Sequence, residues 1–125
     1  MPKASKETAS RVEEMGIMEG RYEELGGYTV GFETFRENAD AAPLMKGLPA
    51  DRCQSPHWGY VVSGKVTFSY PDHAETYETG DAYYAPPGHT PAIAAGTEII
   101  EFSPTEEYGR TMEVIGRNLA ALQAP

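Results

Sequence analysis

Between His57 and Pro104 the chain is cut into short β-forming runs by turn residues, and this punctuation limits the fold more than any other feature. Tyr60–Val62, Val66–Tyr70, Glu75–Glu78, Ala82–Tyr84 and Glu98–Phe102 are separated by Ser63-Gly64, Pro71-Asp72, Thr79-Gly80-Asp81 and Pro86-Pro87-Gly88. The separators supply a φ preset by proline, a positive φ open to glycine, or an Asp or Ser side chain that bonds its own turn. Five runs in fewer than fifty residues predict an antiparallel sandwich or barrel.

The flanks complete the outline. The segment YTVGFETF from Tyr28 is dense in β-formers, and as a strand it places Tyr28, Val30, Phe32 and Thr34 on one side of the pleat. Residues 37 to 56 hold three prolines and a glycine and predict a loop broken by one short strand. Upstream, Val12, Met15 and Met18 lie at helical spacing, but Gly16 and Gly20 interrupt it, so the first 25 residues are expected to form an arm or a short helix. After Pro104 the period changes. Tyr108, Met112, Ile115, Leu119 and Leu122 make one apolar stripe, with Ser103 or Thr105 available as cap, and predict a closing helix over 105–123. With 125 residues and no repeat or linker, the chain is expected to be one domain: arm 1–25, barrel 26–104, helix 105–123.

Charge and missing motifs narrow the chemistry. The formal net charge is −9, from 19 acidic against 10 basic residues, so a surface for nucleic acid or anionic lipid is not expected. No apolar run approaches the roughly 20 residues of a membrane span, and the first twenty residues mix charges throughout, with no apolar core of a leader. The single cysteine, Cys53, excludes an internal disulfide and fits a reducing, cytoplasmic setting. There is no Gly-rich phosphate loop before a helix, no Gly-x-Ser-x-Gly elbow and no Cys-x-x-Cys pair.

What remains is a small set of polar residues in the β region. Cys53, His57 and His89 are competent ligands for a transition metal, whereas His73 lies beside a Pro-Asp turn and belongs to the surface. A thiolate with two imidazoles suits Zn²⁺, or less selectively iron, nickel or copper, and leaves a position open for water or substrate. The competing structural reading makes Cys53 a small buried hydrophobe, His57 a core or mouth residue and His89 a turn residue. If His57 points into the barrel, Gly59 and Val61 follow it inward while Trp58, Tyr60 and Val62 face out, and Gly59 leaves space beside His57. Tyr83 or Tyr84, whichever faces inward, would offer a hydroxyl to a ligand there. Trp58 would pack under the helix or at a subunit contact. Glu33 and Glu101 would serve as base or fourth ligand if they faced inward, but a solvated sheet face is the simpler expectation for both.

Gly80-Asp81-Ala82-Tyr83-Tyr84-Ala85-Pro86-Pro87-Gly88, a glycine, five residues and Pro-x-Gly, resembles the second motif of the cupins, and Gly64 matches the closing glycine of their first. The resemblance covers Asp51 to Pro91 and implies a double-stranded β-helix, the jelly-roll barrel. The ligands of that family are three histidines and a glutamate. Here the glutamate position holds His57, the histidine pair falls on Asp51 and Cys53, and the last position holds Pro91, with His89 two residues early. The resemblance implies a remodelled pocket acting on a small acid or carbonyl compound by isomerase, oxygenase or lyase chemistry, and a homodimer. A metal-free ligand-binding or sensor module, and an assembly element with a side-chain-filled cavity, are the alternatives.

Overall fold

The computed structural model describes residues 2–123. Ten strands form two antiparallel sheets: β1 (Arg11–Glu14), β2 (Met18–Leu25), β3 (Tyr28–Phe35), β4 (Ala39–Asp40), β5 (His57–Ser63), β6 (Lys65–Ser69), β7 (Ala74–Glu78), β8 (Ala82–Ala85), β9 (Thr90–Ile93) and β10 (Glu98–Pro104). The larger sheet has the order β1-β2-β3-β10-β5-β8 and the smaller the order β4-β9-β6-β7. They face one another around a core of Met18, Phe35, Val61, Val66, Phe68, Tyr83, Ile93 and Ile99. The connections are those the turn residues foretell. Gly64, between β5 and β6, has φ +95, and a Cβ there would collide with Thr97.

One expectation is corrected. Residues 11–25 are strands, not an arm or helix: Gly16 takes φ +76 at the β1–β2 turn, and Met18, Gly20 and Tyr22 then alternate inward with period two. Thr90–Ile93, not singled out as a run from the sequence, is a strand of the smaller sheet paired with β6. In β3, Tyr28, Val30 and Phe32 share one side of the pleat as expected, and it is the outer face, with Ile100 and Phe102 of β10, while Thr29, Gly31, Glu33 and Phe35 face inward.

The register writes one row across the inner face of the larger sheet. Tyr22 pairs with Gly31, Gly31 with Glu101, Glu101 with Gly59, and Gly59 with Tyr83. Each tyrosine ring lies flat on glycines, Tyr22 on Gly20 and Gly31 and Tyr83 on Gly59, where a Cβ would overlap the ring.

A helix, α1 (Thr105–Gln123), follows β10 directly. Thr105 N donates to Gly27 O (3.0 Å), which seats its first turn on the β2–β3 turn. Tyr108, Thr111, Met112, Ile115 and Leu119 face the barrel; Leu122, expected in the same stripe, is 71% exposed because the barrel ends before the helix does. Asn118 Nδ2 donates to Leu44 O (2.6 Å) and Lys46 O (2.9 Å), fastening the 3-10 turn Ala42–Met45 against the helix. No helix among the described residues is long and apolar enough to cross a membrane.

Candidate functional site

Between the sheets and α1 lies a cavity of about 320 Å³. Most of its wall is apolar, with Met15, Met18, Phe35, Met45, Met112 and Ile115 prominent; the polar groups are Glu33, Glu101, Tyr22, His57, Cys53, Tyr108, Thr111 and, near the Ala42–Met45 turn, Asp40.

Cys53, His57 and His89 come together although they lie in different segments. Cys53 forms an isolated antiparallel bridge with His89: Cys53 N donates to His89 O (2.8 Å) and Gly88 N to Cys53 O (2.8 Å). His57 opens β5 on the inner face beside Ser103 of β10. The nearest ligand atoms of the three lie within 4.8 Å of one another, and all three residues are buried.

The surrounding bonds orient the rings. His89 Nδ1 is 2.8 Å from Pro86 O, a carbonyl that can only accept, so Nδ1 carries the proton and Nε2 is left as a bare lone pair; that buried atom has no partner. His57 Nδ1 is 2.7 Å from Ser103 Oγ and 3.4 Å from Glu101 Oε1, and its Nε2 is 3.7 Å from Cys53 Sγ. Burial lowers His57 to about 3 and His89 to about 4, the latter helped by His57, so both rings are neutral at physiological pH. Burial pushes the Cys53 thiol up, with Ser55 O and Thr111 Oγ1 within reach of the sulfur. Neutral imidazoles whose far nitrogens are held by a carbonyl or hydroxyl, one orphaned Nε2 and one sulfur are a donor set that fits a transition metal.

Asp51, placed by the resemblance in the same set, is elsewhere: it is exposed at the end of the 3-10 turn Pro49–Asp51, with φ 56, and accepts from Gly47 N (3.0 Å). Pro91 lines the cavity from β9 and offers no ligand atom. Tyr84 is also excluded from the pocket. It points outward, 48% exposed, and stacks on Trp58 (centroids 5.1 Å apart) on the outer face of the larger sheet, so Trp58 is not under the helix. Of the two tyrosines Tyr83 faces inward, but it lies behind Glu101 and fills the space over Gly59 that was expected for a ligand. His73 is at the surface beside Asp72.

The acidic residues overturn the expectation of a solvated face. Glu33 and Glu101 both face the cavity, where Tyr22 donates to Glu33 Oε2 (2.7 Å) and Tyr83 to Glu101 Oε2 (2.5 Å). Burial first, and for Glu33 the charge of Glu101 next, pushes each carboxyl up to about 7 against the opposing phenol bonds. Burial raises Tyr22, Tyr83 and Tyr108 far enough that all three are neutral hydroxyls. Tyr22 was invisible as a site residue because its segment was assigned to the arm, and its one signal was the glycine two places before it.

An inner cavity between two antiparallel sheets, with candidate ligands on β5 and just before β9, defines the cupin jelly roll, and the chain has that fold. It is similar in structure to an RmlC-like cupin from Shewanella frigidimarina (17% identity, TM-score 0.54, 81% of this chain and 88% of that one). KdgF from Halomonas sp. (20%, 0.52, 75% and 86%) and the polyketide cyclase RemF from Streptomyces resistomycificus (14%, 0.58, 83% and 79%) are similar as well. No family model matches the sequence, and no curated protein matches it. Identities of this order establish the fold, which hosts many activities.

Proposed function

We propose that the protein binds a compact, largely apolar carbonyl compound between barrel and helix and transforms it by proton transfer, as an isomerase or lyase, beside a divalent transition metal held by Cys53, His57 and His89. One observation carries the reading: three buried ligand atoms converge, Cys53 and His57 at the wall of an apolar cavity and His89 buried next to them outside its lining, and His89 Nε2 has no partner. A metal there, zinc foremost and iron, nickel or copper otherwise, would polarise an oxygen of the ligand. Of the two ligand classes expected, the acid is disfavoured, because Glu33 and Glu101 already face the cavity and no Lys or Arg lines it among the described residues. Glu101, beside His57, is placed to take up and return a proton, and the apolar walls limit water around it.

A metal-free binding module is the second reading, favoured by the contact of Cys53 Sγ with His57 Nε2, which satisfies two of the three groups without an ion. Elemental analysis by inductively coupled plasma mass spectrometry separates the two. Near-stoichiometric metal is expected, falling in Cys53→Ala, His57→Ala and His89→Ala alike, with a lower melting temperature after chelation. Protein that stays metal-free after reconstitution would leave the second reading standing.

The homodimer implied by the family resemblance also belongs here. Its contact would be the outer face of the larger sheet, where Tyr28, Trp58, Tyr60, Tyr84 and Phe102 are exposed together. Equilibrium sedimentation is expected to show a dimer that Trp58→Lys weakens; a dimer unchanged by the variant would place the contact elsewhere.

A further inference from the structure

Among the described residues every charged side chain that lines the cavity, Glu33, Asp40 and Glu101, is acidic. Glu33 and Glu101 project from adjacent strands on one face, two residues out of register, since Glu33 pairs with Ile99 and Glu101 with Gly31. Like charges at such diagonal positions repel, and buried carboxylates are ordinarily paired with a cation. Here each has a phenol donor, but no Lys or Arg among the described residues reaches either one. Oε1 of Glu33 has no hydrogen-bond partner among the described residues, while the residue lines the cavity. Tyr22 and Tyr108, with centroids 6.3 Å apart, line the same space, and the Tyr22 ring already holds a cation, the Arg11 guanidinium 5.0 Å from its centroid. A hard metal ion would need six or more oxygens, more than this apolar wall supplies. An organic ammonium needs only acceptors for its N–H bonds and apolar contacts for its body, and both are present.

We propose that Glu33 and Glu101 form an ammonium subsite, so that the ligand of this cavity carries an amine, bound as its cation against the two carboxylates with its apolar body toward Met18, Phe35 and Met112. This rests on the reading of the cavity as a ligand pocket and is independent of the metal. It adds an amine to the compound whose oxygen function faces His57.

Three probes of one shape and different charge test it: 2-phenylethylamine, 2-phenylethanol and phenylacetate, titrated calorimetrically into chelator-treated protein near neutral pH. The amine is expected to bind about tenfold or more tightly than the alcohol, and phenylacetate not to bind. Glu33→Gln and Glu101→Gln, which keep an acceptor for each tyrosine, are expected to remove the preference for the amine while leaving the alcohol bound. Alcohol binding as tight as amine binding in the wild type would overturn the subsite and leave the pocket. A preference unchanged in both variants would do the same. Failure of both amine and alcohol to bind would overturn the pocket reading and the subsite with it.

Discussion

Gly59→Val is expected to destabilise the protein by about 3 kcal/mol. The new Cβ would fall on the Tyr83 ring, which lies across Gly59. That ring cannot step aside cheaply. It stacks on Tyr77 (5.0 Å between centroids) and packs against Phe68 (5.4 Å), and its hydroxyl donates to Glu101. Moving it strains the core, at about 1–3 kcal/mol for overpacking, and takes a donor from a buried carboxylate, at a further 1–3 kcal/mol or so. Urea unfolding measures the sum. A loss below about 0.5 kcal/mol, the range of an ordinary surface change, would show that the ring is not held over Gly59.

The second large effect is on pH dependence. Glu33 and Glu101 have folded-state values near 7 against an ordinary 4.5, so between those limits the folded protein keeps protons that the unfolded chain releases. Stability from these groups therefore falls as pH rises through 4.5 to 7, and the loss is complete above 7. His57 and His89 act with opposite sign. Their values of about 3 and 4 lie below the ordinary 6.5, so stability is lost as pH falls below 6.5 and the unfolded chain takes up protons the folded one refuses. The optimum is expected at about pH 6, on the acid side of neutral. Glu33→Gln keeps the acceptor for Tyr22 and should be roughly 2 kcal/mol more stable than wild type at alkaline pH, because it removes both a buried charge and its repulsion with Glu101. The gain should vanish in acid. Urea midpoints across the range decide it, and parallel curves for variant and wild type would show that Glu33 is ionised at little cost.

How far the sequence carries is clearest where residue type and turn chemistry agree. The strands from β5 to β8 and β10 are bounded by Gly, Pro and Asp residues whose backbone demands are local, and the alternation that starts from His57 holds through Val62. It fails at β2 and β3. There the inward positions are Met18, Gly20, Tyr22, Gly31 and Glu33, two glycines and a carboxylate among five, so apolar residues do not mark the buried face. Cys53, His57 and His89 could be named as a set from ligand type, because few soft donors exist in the chain. Glu33 and Glu101 could not be oriented, since the pairing of β3 with β10 joins residues some seventy positions apart and leaves no local trace. The space over Gly59 was legible as space, but the ring that fills it comes from β8, and only the register brings it there.

The glycines of that inner row bear on how the sheet finds its alignment while folding. The outer face of β3, β10 and β5 carries Val30, Phe32, Ile100, Phe102, Trp58 and Tyr60, and burying it would satisfy hydrophobicity about as well as burying the face that is in fact inside. A one-residue slip would exchange the two faces at little cost in apolar area. What distinguishes the native alignment is that across the strands the Tyr22 and Tyr83 rings meet bare backbone at Gly31 and Gly59, whereas a shifted pairing sets them against a side chain. Mis-registered intermediates are thus rejected by positions that have no side chain at all, and a search for the determinants of this fold among its large residues would look in the wrong place.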